Sequence, residues 1–180
     1  MRVVVIGTSG SGKTTLAANI AAELHLPCIE LDQLHWKPNW EALSQTDPDE
    51  FVRRVNTAVF ATDDWVSDGN YSMVRDLIWR RATHLIWLDY SRPVVMYRVV
   101  KRSILRAIDQ KELWARNRES WRRWLRPSHP IRWAWQTWAE RRSTFEHLLN
   151  GSEYRHLAVL RLRCPRSASI VVEWLKANAK

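Results

Sequence analysis

The chain is expected to fold as an α/β domain, a parallel sheet with helices on both faces and a phosphate-binding loop at its first strand–helix junction. Three observations predict this. Short β-branched runs alternate with stretches of helical periodicity, the pattern of a parallel sheet buried between helix layers. The octapeptide Gly7-Thr8-Ser9-Gly10-Ser11-Gly12-Lys13-Thr14 satisfies G-x-x-x-x-G-K-[ST] at every position, with a strand before it and a helix after. Finally, 180 residues at 46% apolar and 26% charged, with only 5 Gly and 7 Pro, suit one globular domain.

The elements follow in order. Arg2–Ile6 is an apolar run without polar alternation, hence a central strand buried on both faces. From Lys13 a helix carries Leu16, Ile20 and Leu24 on one stripe, and Pro27 ends it. Cys28–Leu31 reads as the second strand. Asp47-Pro48-Asp49-Glu50 supplies an N-cap, a proline at the first helical position and a glutamate at N3, opening a helix that should reach Thr62. Trp65–Ser67 is the third strand, ended by Asp68-Gly69-Asn70, and Leu85–Leu88 the fourth, ended by Asp89. Ser91 and Pro93 open a helix running past Arg102 toward Ala107. A charged helical pattern follows, broken at Pro127 and Pro130, and a further helix is expected over Arg132–Leu149. His156–Leu162 reads as the fifth strand and Ser167–Ala177 as the terminal helix. The chain reads as a single domain, 1–180, with a basic helical arm over about 107–138 inside it.

Several classes are excluded. No apolar run approaches the roughly 20 residues of a membrane span, and Met1–Gly7 lacks the apolar stretch and cleavage site of a signal peptide. Cys28 and Cys164 lie far apart without metal-ligand spacing, which suggests a reducing, cytoplasmic setting.

The phosphate loop dictates its chemistry. Its glycines let successive backbone N–H groups turn toward phosphate oxygens, and the following helix adds the positive end of its dipole. Residues Gly7 to Thr15 are therefore assigned to nucleotide binding, with ATP and Mg²⁺ as cofactors. Lys13 bridges the β- and γ-phosphates and the Thr14 hydroxyl ligates Mg²⁺ in this reading. A dinucleotide fingerprint is excluded, because Gly10-Ser11-Gly12 continues as Lys13-Thr14-Thr15.

Charge singles out the arm. From Arg98 to Arg142 there are 13 Lys/Arg against 4 Asp/Glu, which accounts for the whole net charge of +9. Six of the 12 Trp (114, 121, 124, 133, 135, 138) fall in the same stretch. Trp121, Trp124, Trp135 and Trp138 recur at spacings of three, which reads first as a helix–helix core. Interleaved with Arg, they read alternatively as a stacking platform for single-stranded nucleic acid.

Together these pieces resemble the nucleoside-monophosphate-kinase-like group of P-loop proteins, and more narrowly the adenylate-kinase-related bacterial proteins often named topology modulation proteins. The resemblance rests on Gly7–Thr15, Leu31-Asp32-Gln33-Leu34-His35-Trp36, Trp65–Tyr71, Ile86–Asp89 and the arginine-rich helix Arg98–Arg106. It implies a five-stranded parallel sheet of order 2-3-1-4-5 and a mobile arginine lid after strand 4. It also places the metal-associated aspartate at Asp68, and Arg98 and Arg102 at the donor base and phosphates. The chain departs from an adenylate kinase proper, which carries Asp-Gly-Phe-Pro-Arg where this sequence has Asp68-Gly69-Asn70-Tyr71-Ser72, with Arg75 as the nearest substitute arginine.

The remaining site candidates follow. Asp89 is the alternative to Asp68 for the metal, since it too ends an apolar strand. Asp32 ends strand 2 on the ligand-binding edge and is a candidate general base for an acceptor hydroxyl. A monophosphate acceptor, already anionic, needs no such base. Asn70, Tyr71 and Arg75 are assigned with Asp32 to the acceptor. Arg98 and Arg102, four residues apart, share one helix face, and Arg141 closes from the other side; with Lys13 and Asp32 these form the catalytic set. The sequence thus predicts an ATP-dependent phosphotransferase acting on a small nucleotide or hydroxyl acceptor. The alternative is a nucleic-acid-associated ATPase that uses the basic, Trp-rich arm.

Overall fold

The computed structural model describes residues 1–109, 112–118 and 129–178. Five strands, β1 (Arg2–Gly7), β2 (Cys28–Glu30), β3 (Trp65–Asp68), β4 (His84–Leu88) and β5 (Ala158–Leu162), form one sheet in which every pairing is parallel. Their order, counted along the chain, is 2-3-1-4-5, as the resemblance implies. The central β1 sets Val4 opposite both Ser67 and Leu85.

Alternation along β1 divides the core in two. Val4 and Ile6 face a cluster containing Phe51, Trp65, Trp79, Trp87 and Phe145. Val3 and Val5 face Ile20, Val95, Val99 and Leu175. The helices supplying these layers are α1 (Lys13–Leu24), α2 (Leu31–His35), α3 (Leu43–Thr46), α4 (Pro48–Phe60), α5 (Arg75–Trp79), α6 (Arg92–Asp109), α7 (Pro130–Asn150) and α8 (Val171–Ala177). Asp47 caps α4 as its sequence demands, its carboxylate accepting from the Glu50 N–H at 3.0 Å.

The differences from expectation are local. Leu31 opens α2 instead of ending β2, and α4 stops at Phe60. β5 starts two residues late because Tyr154–Leu157 forms a turn. The first half of the expected terminal helix is 3₁₀ (Pro165–Ile170). An unforeseen two-residue antiparallel ladder joins Trp36–Lys37 to Glu41–Ala42. Trp65 and Trp87 are buried, but Trp135 is 54% exposed, so the expected stripe is not a continuous core. Trp121 and Trp124 lie outside the described residues. Among the described residues no helix is long and apolar enough to cross a membrane.

Candidate active site

All the motif residues converge at the C-terminal edge of the sheet, where a doubly wound fold opens its ligand crevice. Between β1 and α1 the loop folds back on itself: the Ser11 N–H donates to the Thr8 carbonyl at 3.1 Å and Lys13 Nζ to the same oxygen at 3.3 Å. Gly10, at φ +85°, lies so close to α6 that a Cβ would sit 2.8 Å from that of Val99. That close approach requires glycine. Burial pushes the Lys13 ammonium down to about 8; Asp68 and Asp32 oppose the shift, while Arg141 and Arg102 add to it.

The two candidate metal aspartates are in different situations. Asp68, buried at the end of β3, accepts from the Thr14 hydroxyl at 2.6 Å through Oδ2. Its Oδ1 is buried without a partner among the described residues. Burial raises its carboxyl above the usual range, against the Thr14 hydrogen bond and the Lys13 charge. Asp89 faces elsewhere. Arg161 holds it through Nε at 2.9 Å and a terminal nitrogen at 2.6 Å, and Arg142 approaches to 3.2 Å. Its carboxylate serves an arginine clamp between β4, β5 and α7.

Four consecutive residues, starting with the last of β3, reach four different parts of the site. Asp68 meets Thr14. Gly69, at φ +138°, presses against Leu31, where a Cβ would stand 2.8 Å from the Leu31 Cβ. The Asn70 amide pairs with Gly7, accepting from its N–H at 3.4 Å and donating to its carbonyl. Tyr71 donates its phenol to Asp32 Oδ1. Asp32 itself lies in the first turn of α2, two residues past the end of β2, where the sequence pattern has it ending the strand. Arg75, in α5, lines a cavity with Gly69, Asn70 and Tyr71 and sits 5.7 Å from the Trp79 ring.

The arginines surround this line. Arg98 donates to the Ser11 carbonyl at 3.0 Å and Arg102 to the Ser9 hydroxyl at 3.3 Å, so both reach the phosphate loop from α6. Arg141 belongs to the middle of α7. There burial pushes its guanidinium below the usual arginine range; Tyr71, Glu140 and Asp32 oppose the shift, and Arg75 adds to it. It stands 5.6 Å from the Trp133 ring.

Sequence reasoning missed four contributors. His35 is buried and packs against Tyr71 with ring centroids 4.5 Å apart. Arg161 and Arg142 occupy Asp89. Asn117 ties the turn after α6 to the Trp36–Ala42 ladder: it accepts from the Trp40 N–H at 2.9 Å and donates to the Lys37 carbonyl at 2.8 Å. His35 carried a signal, because it lies in the same short run as Asp32. The others lacked one, since their partners are about 50 to 80 positions away.

No family model matches the chain. It is 29% identical over 114 residues to the thermosensitive gluconokinase of Escherichia coli strain K12, a match spanning 56% of this chain and 61% of that protein. It is 51% identical over 45 residues to a probable gluconokinase of Schizosaccharomyces pombe, spanning 25% of this chain and 23% of that one. The matched segments thus cover less than two thirds of either relative. Among solved structures, a shikimate kinase from Acinetobacter baumannii in complex with shikimate superposes over 99% of this chain and 94% of its own, with a TM-score of 0.60 at 11% identity. A gluconokinase from Sinorhizobium meliloti 1021 superposes over 99% and 97%, with a TM-score of 0.53 at 18% identity. Identities this low speak to the fold, and the fold is the five-stranded parallel α/β architecture of these kinases.

Proposed function

We propose that this protein is an ATP-dependent phosphotransferase that moves the γ-phosphate onto a hydroxyl group of a small acceptor. One observation carries the reading: Asp32 stands at the acceptor edge close enough to bear on the Lys13 charge, held by Tyr71 and faced by Arg141. A carboxylate there is useful to a hydroxyl acceptor, which must lose a proton, and superfluous to a phosphate acceptor. The names of the relatives, gluconokinase and shikimate kinase, support the same class.

In this reading the acceptor oxygen attacks the γ-phosphorus, its proton passes to Asp32, and the bond to the β-phosphate oxygen breaks to release ADP. Residues Gly7 to Thr15 cradle the donor phosphates, and Lys13 stabilises charge on the β- and γ-oxygens. Arg98 and Arg102 hold the donor side, while Arg141 and Arg75, with Asn70 and Tyr71, hold the acceptor. The Thr14 hydroxyl and the partnerless Asp68 oxygen fit a hydrated Mg²⁺, which when bound would neutralise phosphate charge. The arm over about 107–138 acts as a lid that excludes water and so limits wasteful hydrolysis. Two free cysteines, Cys28 and Cys164, fit a reducing, cytoplasmic setting.

The direct test measures ADP formation with ATP and Mg²⁺ against gluconate, shikimate, other hydroxyl compounds, AMP and a single-stranded oligonucleotide. Stimulation by a hydroxyl compound, abolished in Lys13→Ala, is the expected outcome. Stimulation by AMP alone would move the protein to the nucleotide kinases. Stimulation by the oligonucleotide alone would make it a nucleic-acid-dependent ATPase.

A further inference from the structure

The acceptor base and the phosphate loop are joined by two adjacent side chains. Asn70 forms its two-way amide pair with Gly7, the first residue of the loop. Tyr71, next in the chain, reaches Asp32 with its phenol. The Tyr71 ring is itself fixed: it packs against His35 at 4.5 Å, the ring planes tilted by 38°, and meets Phe51 edge-on at 5.1 Å. His35 is held in turn by Ser44, its Nε2 lying 2.8 Å from the hydroxyl. Such packing keeps the aromatic ring in place with or without its oxygen.

We propose that Tyr71 is a positioning residue for phosphoryl transfer: its phenol holds Oδ1 of Asp32, leaves Oδ2 to take the acceptor proton, and through Asn70 keeps this geometry in register with the phosphate loop. The inference rests on the phosphotransferase reading above. An unrestrained aspartate rotates about its side-chain bonds and presents either oxygen. One hydrogen bond from a packed ring removes that freedom and leaves a single productive arrangement. Because Tyr71 acts through Asp32 and not on the phosphates, its phenol matters for kcat and leaves ATP binding alone. Burial beside the Asp32 anion raises the phenol's own pKa, so it stays a donor throughout the physiological range.

The experiment compares wild type, Tyr71→Phe, Asp32→Asn and the double variant, using as acceptor the first hydroxyl compound turned over, starting from gluconate and shikimate. Phe keeps the contacts with His35 and Phe51, so the variant should stay folded. Its kcat should fall about tenfold to a hundredfold, the scale of one hydrogen bond to a charged group, with KM for ATP unchanged. The double variant should be no slower than Asp32→Asn, because the phenol has nothing left to orient. Losses that multiply in the double variant, or an altered KM for ATP, would overturn the proposal. A second measurement needs no acceptor. The tyrosine Cζ resonance that disappears in Tyr71→Phe should move in Asp32→Asn, since the phenol then donates to a neutral amide. An unmoved resonance would show that the contact does not exist. A moved resonance with no hydroxyl compound ever turned over would sink the phosphotransferase reading instead, with the Tyr71–Asp32 contact intact.

Discussion

Asp68 and Asp89 should separate cleanly when each is replaced by asparagine, one through turnover and the other through stability. The Asp89 side chain is 3% exposed and takes two hydrogen bonds from Arg161 and an ion pair from Arg142. Arg161 also lies 4.1 Å from the Trp87 ring and pairs with Glu146, so it cannot swing into solvent without losing both. Asp89→Asn therefore leaves two cations facing a neutral amide. Breaking a fully buried pair costs about 3–5 kcal/mol; because Arg142 is 39% exposed and Arg161 25%, about 3 kcal/mol is expected here. For a chain of this length that corresponds to a drop of roughly 6–12 °C in Tm. Asp68→Asn should behave oppositely. Its carboxyl is raised by burial, so its charge opposes folding at neutral pH, and an amide can still accept from Thr14. No stability loss is expected, but Mg²⁺-dependent turnover should fall at least about a hundredfold. Urea titration and the ADP assay on both variants give the answer. A turnover loss confined to Asp89→Asn would refute the assignment and move the metal role to Asp89.

Three further outcomes can be measured. Lys13→Ala should abolish turnover and leave the fold intact, because the loop backbone keeps its own hydrogen bonds; unchanged turnover in the folded variant would remove every nucleotide-hydrolysing reading at once. With the Lys13 ammonium lowered to about 8, folded protein binds fewer protons than unfolded protein between about pH 8 and 10.5, so this group makes stability rise with pH there. ATP should restore the proton, and calorimetry near pH 8.5 in buffers of different ionisation enthalpy should show proton uptake on binding, with affinity falling as pH rises; no uptake would contradict it. A non-hydrolysable ATP analogue with Mg²⁺ should slow hydrogen exchange in the arm at 112–118 and 129–138; protection confined to Gly7–Thr15, with the arm responding only to single-stranded nucleic acid, would end the lid reading.

What the sequence disclosed depended on how local each signal was. The phosphate loop is eight contiguous residues whose types are fixed by backbone geometry, and the strand–helix alternation follows from burial on two faces. Both were readable for that reason. Asp89 stood as the alternative to Asp68 because a carboxylate after four apolar residues looks alike whether it meets a metal or an arginine. Only the fold brings Arg161, 72 positions away, alongside. Arg141 was assigned to the site, and the helix expected over Arg132–Leu149 already carried it near its middle, as α7 does. The Trp36–Ala42 ladder left no periodicity, its strands being two residues long. It also requires Trp40 at φ +59°, which no propensity favours.

That last feature connects to the lid. Among the described residues five non-glycine residues have positive φ, and four of them, Asn39, Trp40, Ala115 and Arg116, fall in two segments that touch each other. Each such residue costs of order 1 kcal/mol and persists only where surrounding bonds over-determine it. Asn117 supplies those bonds. Its side chain, 5% exposed, takes the Trp40 N–H and donates to the Lys37 and Trp114 carbonyls, while the Trp40 indole donates to the Arg118 carbonyl at 3.2 Å. The turn at 113–118 is thereby clasped to the segment that follows Asp32 and His35. The helix before it, α6, carries Arg98 and Arg102 to the phosphate loop. In the proposed function, α6 thus reaches the donor side, while Asn117 holds the segment that follows the acceptor residue Asp32. Displacing the turn at 113–118 would break the Asn117 bonds and release the strained backbone. If the proposed lid moves, that link would let it respond to both substrates together.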